Sequence, residues 1–473
     1  MILQLISGET FTIKEGQTLL EGLREAEYYL VASCGGKGTC GKCRVRIVDG
    51  RFETKGYGKL SSEERRRGFV LACQTIALSD LLIEVPEDSK LIIGDRIAIA
   101  RSRDLFELLH TLGGDISPPV RYVDLNLIPP SITDNTGDLE RLKRALAEKG
   151  LVGLRFSNRF LKELSGSLRR YNWNIRVYYA DCLGRSDTAT TSERGTYSPE
   201  ALFISAQKDT PRYGIAVDIG TTTVVAYLVN LEDGRLLDVG STYNSQIRYG
   251  DDVITRIIYA TEKNGLDELK EAVTEDINTI VSSIARKHSI RADDIISATI
   301  AGNTTMTHIF WGLDPGPIRE EPYIPTANSF PVWRAGTAGL NINPQAPVYT
   351  LPCVASYVGG DIVAGVLASK MHRSPEIALF MDIGTNGEIV VGNNEWLMTA
   401  ACSAGPCFEG SGIKSGMRAT AGAIEQIRFD PATGEPEFSV IGDSKPIGIC
   451  GSGMIDAISG MFLNGIIAVS YTH

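Results

Sequence analysis

The sequence predicts an α+β multidomain chain: a small cysteine-bearing unit, a small α/β middle domain, and a larger α/β domain built from two similar halves. Three observations lead there. Three of nine cysteines fall within "CGGKGTCGKC", from Cys34 to Cys43, and "DIGT" occurs at both Asp218 and Asp382, 164 residues apart. At roughly 150 residues per domain, a chain of 473 holds about three domains, each able to bury its own core.

A net charge of −10 argues against a general affinity for nucleic acid or anionic membrane. The start "MILQLISGET" has no cationic segment leading into an apolar one, and no 18 apolar residues run uninterrupted. Neither secretion nor membrane spanning is signalled, so the expected location is the cytoplasm. There, cysteines serve as thiols and metal ligands rather than structural disulfides.

In residues 1–90, "MILQLI" and "FTIK" read as two strands joined by the turn "SGET". A helix follows over "TLLEGLREA", with Thr18 and Glu21 as a capping box. After the cysteine loop come the strand "RVRIVDG", a charged connection "LSSEERRRG", and "VLACQT" carrying Cys73. Cys34-x5-Cys40-x2-Cys43 with Cys73 thirty residues on signals an iron–sulfur cluster. Gly35, Gly36, Gly38 and Gly41 let the backbone wrap closely and turn N–H groups toward anionic sulfur. A structural zinc site would show paired C-x2-C knuckles, and only Cys40 and Cys43 make one. The strand–turn–strand–helix prelude, the loop and the late "LACQ" resemble a β-grasp [2Fe–2S] ferredoxin, with a first gap closer to adrenodoxin-type members than to the plant spacing.

Residues 91–119 read as a linker with a short helix over "RDLFELLHTL". The middle domain, 120–205, alternates the strand "RYVDLNL", helices over "DLERLKRALAEKG" and "RFLKELSGSLRR", and the strand "WNIRVYYAD". "GRSDTATTSERGTYSPEA" reads as the connection to the last domain, 206–473.

That domain opens with an apolar strand, the turn "DIGTTT" and a returning apolar strand, and "IALFMDIGTNGEIVVG" repeats the arrangement. An acidic residue ending a buried strand, then Gly and hydroxyl or amide residues, can present N–H groups to a phosphate while the carboxylate holds magnesium through water. Neither a Walker loop nor a dinucleotide fingerprint occurs. The pair resembles the superfamily of acetate and sugar kinases, Hsp70 and actin, whose two ribonuclease-H-like halves clamp ATP. By that resemblance Asp218 and Asp382 are the catalytic carboxylates. Gly220, Thr221, Thr222 and Thr223 form one phosphate loop, and Gly384, Thr385, Asn386 and Gly387 the other. Asn303 in "AGNTTMTH" joins the ATP site. Asp361 reads as a helix cap in preference to a magnesium-water ligand, His308 as a core histidine, and Cys402, Cys407 and Cys450 as small buried thiols.

A [2Fe–2S] unit and an actin-like ATPase in one chain, with "AVDIGTTTVVAYL", "AGNTTMTH", "MDIGTNGEI" and "CSAGP", resemble the reductive activators of corrinoid proteins. The resemblance implies a [2Fe–2S] cluster on Cys34, Cys40, Cys43 and Cys73, with ATP and Mg2+ as further cofactors. It implies an enzyme that reduces cob(II)amide to cob(I)amide in an ATP-dependent, one-electron step. Its partners would be the corrinoid protein of a methyltransferase system, a low-potential electron donor, and a second copy in a homodimer; nucleic acid and membrane are not expected. Only 91 residues follow Asp382, without the family's late Gly-rich segment, so the second half, 374–473, is expected to be incomplete. Two rivals remain: an electron carrier with a non-hydrolysing, ATPase-like docking scaffold, and a small-molecule kinase with little use for the four cysteines.

Overall fold

The computed structural model describes residues 1–26, 28, 30, 38, 41–58, 60–86, 89, 118–180, 199–207, 212–250, 252–384, 387–402, 415–417, 419, 421–430, 433–443 and 445–467. By contact they form two compact units. One draws on Met1–Ile99, Tyr243–Leu269 and Ile377–His473, the other on Ala100–Thr242 and Lys270–Glu376.

At the amino end, β1 (Ile2–Leu5) pairs antiparallel with β2 (Thr10–Thr12) and parallel with β7 (Leu81–Glu84); β3 (Arg44–Asp49) and β5 (Phe69–Leu71) extend the sheet in the order β2-β1-β7-β3-β5. α1 (Leu19–Glu25) packs Leu19, Leu20 and Leu23 into its core beside Leu3, Leu5 and Val45. Its start is the expected capping box, with Thr18 N–H donating to Glu21 Oε2 at 2.9 Å and Glu21 N–H to Thr18 Oγ1 at 3.3 Å. A small ribbon of β4 (Phe52–Thr54) and β6 (Thr75–Ala77) completes the β-grasp unit. The charged connection contains a helix, α2 (Ser62–Arg66), which a second capping box starts at Ser61 and Glu64. Its S-x-x-E signature was legible, but the density of charge reads as a loop.

In the other unit, β8 (Val120–Asn126), β9 (Arg155–Phe156), β10 (Asn174–Ala180) and β11 (Glu200–Ala206) form a sheet in the order β8-β10-β11-β9. The strand β11 replaces the end of the expected connection, because Glu200 and Ala201 pair with β9 residues 45 positions earlier, a contact that local composition does not reveal. α3 (Asp138–Glu148) and α4 (Asn158–Arg170) cover one face through Leu142, Leu146, Phe160, Leu164 and Leu168. The other face packs Val120, Tyr178 and Leu202 against Ile296 and Leu231 of the following domain. Tyr122 lies between the Arg176 and Arg212 guanidinium groups, 3.9 and 4.3 Å from its ring centre, and Arg334 pairs with Glu200 at 2.5 Å. The helix expected over "RDLFELLHTL" lies outside the described residues.

The following sheet has the order β14-β13-β12-β15-β17-β16: β12 (Tyr213–Ile219), β13 (Thr223–Asn230), β14 (Leu236–Tyr243), β15 (Ile295–Gly302), β16 (Trp333–Arg334) and β17 (Pro347–Thr350). Its centre, β12-β15-β17, is parallel and its strands are rich in buried Ile, Val and Ala, and the chain between β14 and β15 forms α5 (Val253–Glu262) and α6 (Leu266–Lys287). Within the first unit, β18 (Ala378–Ile383), β19 (Gly387–Gly392) and β20 (Leu397–Cys402) form an antiparallel meander. No helix among the described residues is long and apolar enough to cross a membrane.

Candidate functional site

Two of the expected cluster ligands, Cys43 and Cys73, lie among the described residues. Both are buried, at 1% and 6% exposure, and neither is in a disulfide. Their segments are joined directly, since the Ala72 N–H donates to the Cys43 carbonyl at 2.8 Å. Gly38 and Gly41 take positive φ of 79° and 75°, as the expected close wrapping requires. Buried thiols on abutting segments, beside a backbone bent by glycine, fit an iron–sulfur cluster in donor chemistry. Cys34 and Cys40 lie outside the described residues, as do Gly35 and Gly36. Among the described residues no three His, Cys, Asp or Glu side chains gather in a metal-binding group.

In the parallel-centred sheet, Asp218 is exposed near the end of β12, paired in register with Val225. The turn beyond it is tight. The Gly220 N–H donates to the Thr223 carbonyl at 2.9 Å, and a Cβ on Gly220 would lie 2.8 Å from that oxygen. Thr221 is buried, and its hydroxyl accepts from Asn303 Nδ2 at 3.1 Å. Asn303 follows β15, whose Gly302 is in register with Ile219. The Asn303 Oδ1 also accepts from the Met306 N–H at 2.9 Å, capping α7 (Thr304–Trp311). One amide thus holds both the turn and a helix start. The Gly359–Gly360 segment arrives at the same point and opens α8 (Gly360–Ser369); a Cβ on Gly359 would sit 2.4 Å from the Asn303 Cα. Turn and helix starts converge at the carboxyl ends of parallel strands, where α/β sheets bind ligands and where N–H groups favour anions.

The second hairpin, within its own unit, likewise sets its aspartate one residue before the end of its first strand. Asp382 is opposite Glu388, and Ile383 opposite Gly387. Asp382 is half-buried, and desolvation raises its carboxyl above the usual carboxylate range. Gly384 and Gly387 flank Thr385 and Asn386, which lie outside the described residues.

The remaining candidates separate clearly. His308 is a core residue: Nδ1 donates to the Thr304 carbonyl at 2.7 Å and Nε2 accepts from the Ala327 N–H at 3.3 Å. Asp361 is not the cap of α8. Gly359 holds that position, and Asp361 stands in the first turn, its carboxylate accepting the Ile362 N–H at 2.8 Å. Cys450 is a buried thiol against the Ile424 carbonyl, while Cys407 and the Cys402 side chain lie outside the described residues. Sequence reasoning missed Gly58, Gln74 and Gly359, which act through contacts distant in sequence.

Residues 4–78 match the 2Fe-2S iron-sulfur cluster binding domain, 110–188 the RACo linker region, 213–374 the RACo middle region, and 376–472 the C-terminal domain of RACo, the ASKHA domain. A solved structure described as "Reductive activator for corrinoid,iron-sulfur protein" is 41% identical, with a TM-score of 0.65 over 99% of this chain and 73% of that one. The chain belongs to the RACo family. The expected fold class, with a ferredoxin-type unit at the start and an ASKHA domain at the end, is borne out by these matches. Among curated relatives, the "Corrinoid activation enzyme RamQ" of Eubacterium limosum is 33% identical over 92% of this chain, and the "[Co(II) methylated amine-specific corrinoid protein] reductase" of Methanosarcina barkeri 26% over 54%. The chain spans 66% of the first relative's length and 52% of the second's.

Proposed function

We propose that the chain carries out ATP-dependent reductive activation of a corrinoid protein, taking one electron from a low-potential donor and delivering it to cob(II)amide to give cob(I)amide. The observation that carries the reading is the joint occurrence, in one RACo-family chain, of buried Cys43 and Cys73 on abutting segments and of a glycine-tight acidic turn held against helix starts. Cys34, Cys40, Cys43 and Cys73 would hold the [2Fe–2S] cluster, which supplies single-electron transfer when bound. The N–H groups of Thr221, Thr222 and Thr223 would take phosphate oxygens on the turn that the Gly220 N–H closes, as would the loop of Gly384, Thr385, Asn386 and Gly387. Asp218 and Asp382, each on its own turn, would hold Mg2+ through water, and a cation beside Asp382 would offset the burial that now disfavours its carboxylate. Asn303 would serve the nucleotide by fixing Thr221. Coupling requires that ATP bind two conformations of the chain with different affinity, since a ligand shifts an equilibrium only by that difference.

The test is an anaerobic visible spectrum of the reduced protein mixed with a cob(II)amide corrinoid protein, before and after adding magnesium ATP. The cob(I)amide band should grow only after ATP, and Asp218→Ala should abolish that growth with the cluster absorption intact. Growth without ATP would favour the electron-carrier reading. Absence of growth beside an intact cluster band would overturn the proposal.

A further inference from the structure

Cys73 is followed by Gln74, whose side chain does not leave the cysteine behind. Its Nε2 lies 3.8 Å from Cys73 Sγ, in hydrogen-bonding reach of sulfur. A thiolate sulfur can only accept, so the amide presents its N–H face. The Gly38 backbone holds the side chain there. A Cβ on Gly38 would lie 3.0 Å from Cγ, Cδ and Nε2 of Gln74, so the Gly38 backbone rests against the amide. Gly38 is backed in turn by Gly58, at φ 49°, whose own Cβ would be 2.3 Å from the Gly38 carbonyl oxygen. The main chain of Gln74 is equally fixed, its carbonyl accepting from Lys55 N–H at 2.8 Å and Thr54 Oγ1 at 3.2 Å. The next residue, Thr75, is fully buried and donates to the Leu71 carbonyl at 2.9 Å.

We infer that Gln74 is a positioning residue that sets the reduction potential of the cluster, by donating an amide hydrogen bond to the Cys73 sulfur from a slot closed by Gly38 and Gly58. The inference rests on the reading of Cys73 as a cluster ligand. Reduction by one electron, with no proton or bond exchanged, adds negative charge that spreads onto the ligand sulfurs. A donor to sulfur therefore stabilises the reduced form more than the oxidised one and raises the potential. The position suits electron transfer: the side chain sits between a ligand sulfur and the loop backbone, so it acts without occupying a coordination site.

The test is an anaerobic potentiometric titration of the full chain with its cluster, followed by the electron paramagnetic resonance of the reduced state. Gln74→Met keeps the length and apolar contacts but removes the donor. Its reduction equilibrium should weaken roughly tenfold, about 59 mV for one electron, with iron content unchanged. Gln74→Glu keeps the shape, loses the donor and should fall at least as far; it is decisive if the Met variant does not retain iron. A midpoint equal to that of the parent protein in the iron-loaded variant overturns the inference. Cys73→Ser separates the two readings: an unchanged visible spectrum there refutes the ligand assignment, whereas a lost spectrum with unmoved Gln74 midpoints refutes only the tuning role.

Discussion

Removing the Asn303 side chain should loosen the first acidic turn and the helix beside it together. In Asn303→Ala, α7 loses its cap to the Met306 N–H, worth about 0.5–2 kcal/mol. Thr221 Oγ1 also loses the donor at 3.1 Å, a further ~0.5–1.5 kcal/mol for a net hydrogen bond at a buried site. The expected loss is thus about 2 kcal/mol, which at about 2–4 °C per kcal/mol for a unit of this size lowers the melting midpoint by about 4–8 °C. Thr221→Val removes the hydroxyl alone. A double-mutant cycle on the two positions, read by denaturant unfolding, should show a coupling of about 1 kcal/mol. Asn303→Asp preserves the cap and places beside the turn a carboxylate to which the Thr221 hydroxyl can donate, so stability should hold while nucleotide affinity, read by calorimetry, falls. Strict additivity in the cycle, or an unaltered midpoint in Asn303→Ala, would refute the account of Asn303 as a strut.

Gly58→Ala should cost the chain its cluster, because the new Cβ meets a backbone oxygen at 2.3 Å that no rotamer can relieve; iron content and visible absorption after purification check this, and full loading would contradict it. Cys40→Ser should likewise abolish the visible absorption while leaving ATP binding intact, measured on the same sample by absorbance and calorimetry. His308 should make the fold acid-sensitive. Burial holds its folded pKa below the ordinary 6.5, so the unfolded chain takes up the proton first. The associated stability is complete above pH 6.5 and declines as pH falls below it toward the depressed folded value. Denaturant midpoints measured from pH 7.5 downward should show this slope, and His308→Gln should flatten it.

Local chemistry was enough for several features of this protein. Cysteine spacing and glycine content pointed to a ferredoxin-type unit, which residues 4–78 match, and the hairpins around Asp218 and Asp382 followed from apolar strands broken at the same motif. The Thr18–Glu21 box needed only four consecutive residues to be legible, and it formed. The equivalent box at Ser61 was as local, yet its charged neighbours hid the helix. What the tertiary structure decided are contacts between residues far apart in the chain. Asn303 reaches Thr221 across 82 positions, position 359 admits only glycine because the Asn303 backbone backs it, and Gln74 is confined by Gly38, which Gly58 backs. Glu200 joined a strand because β9 and β10 offered their edges, although its own segment reads as a connection. Periodicity and turn chemistry act over a few residues, so they fix elements and motifs. Which side chain a motif leans on depends on how sheets and helices close on one another, and that information is spread over the whole chain.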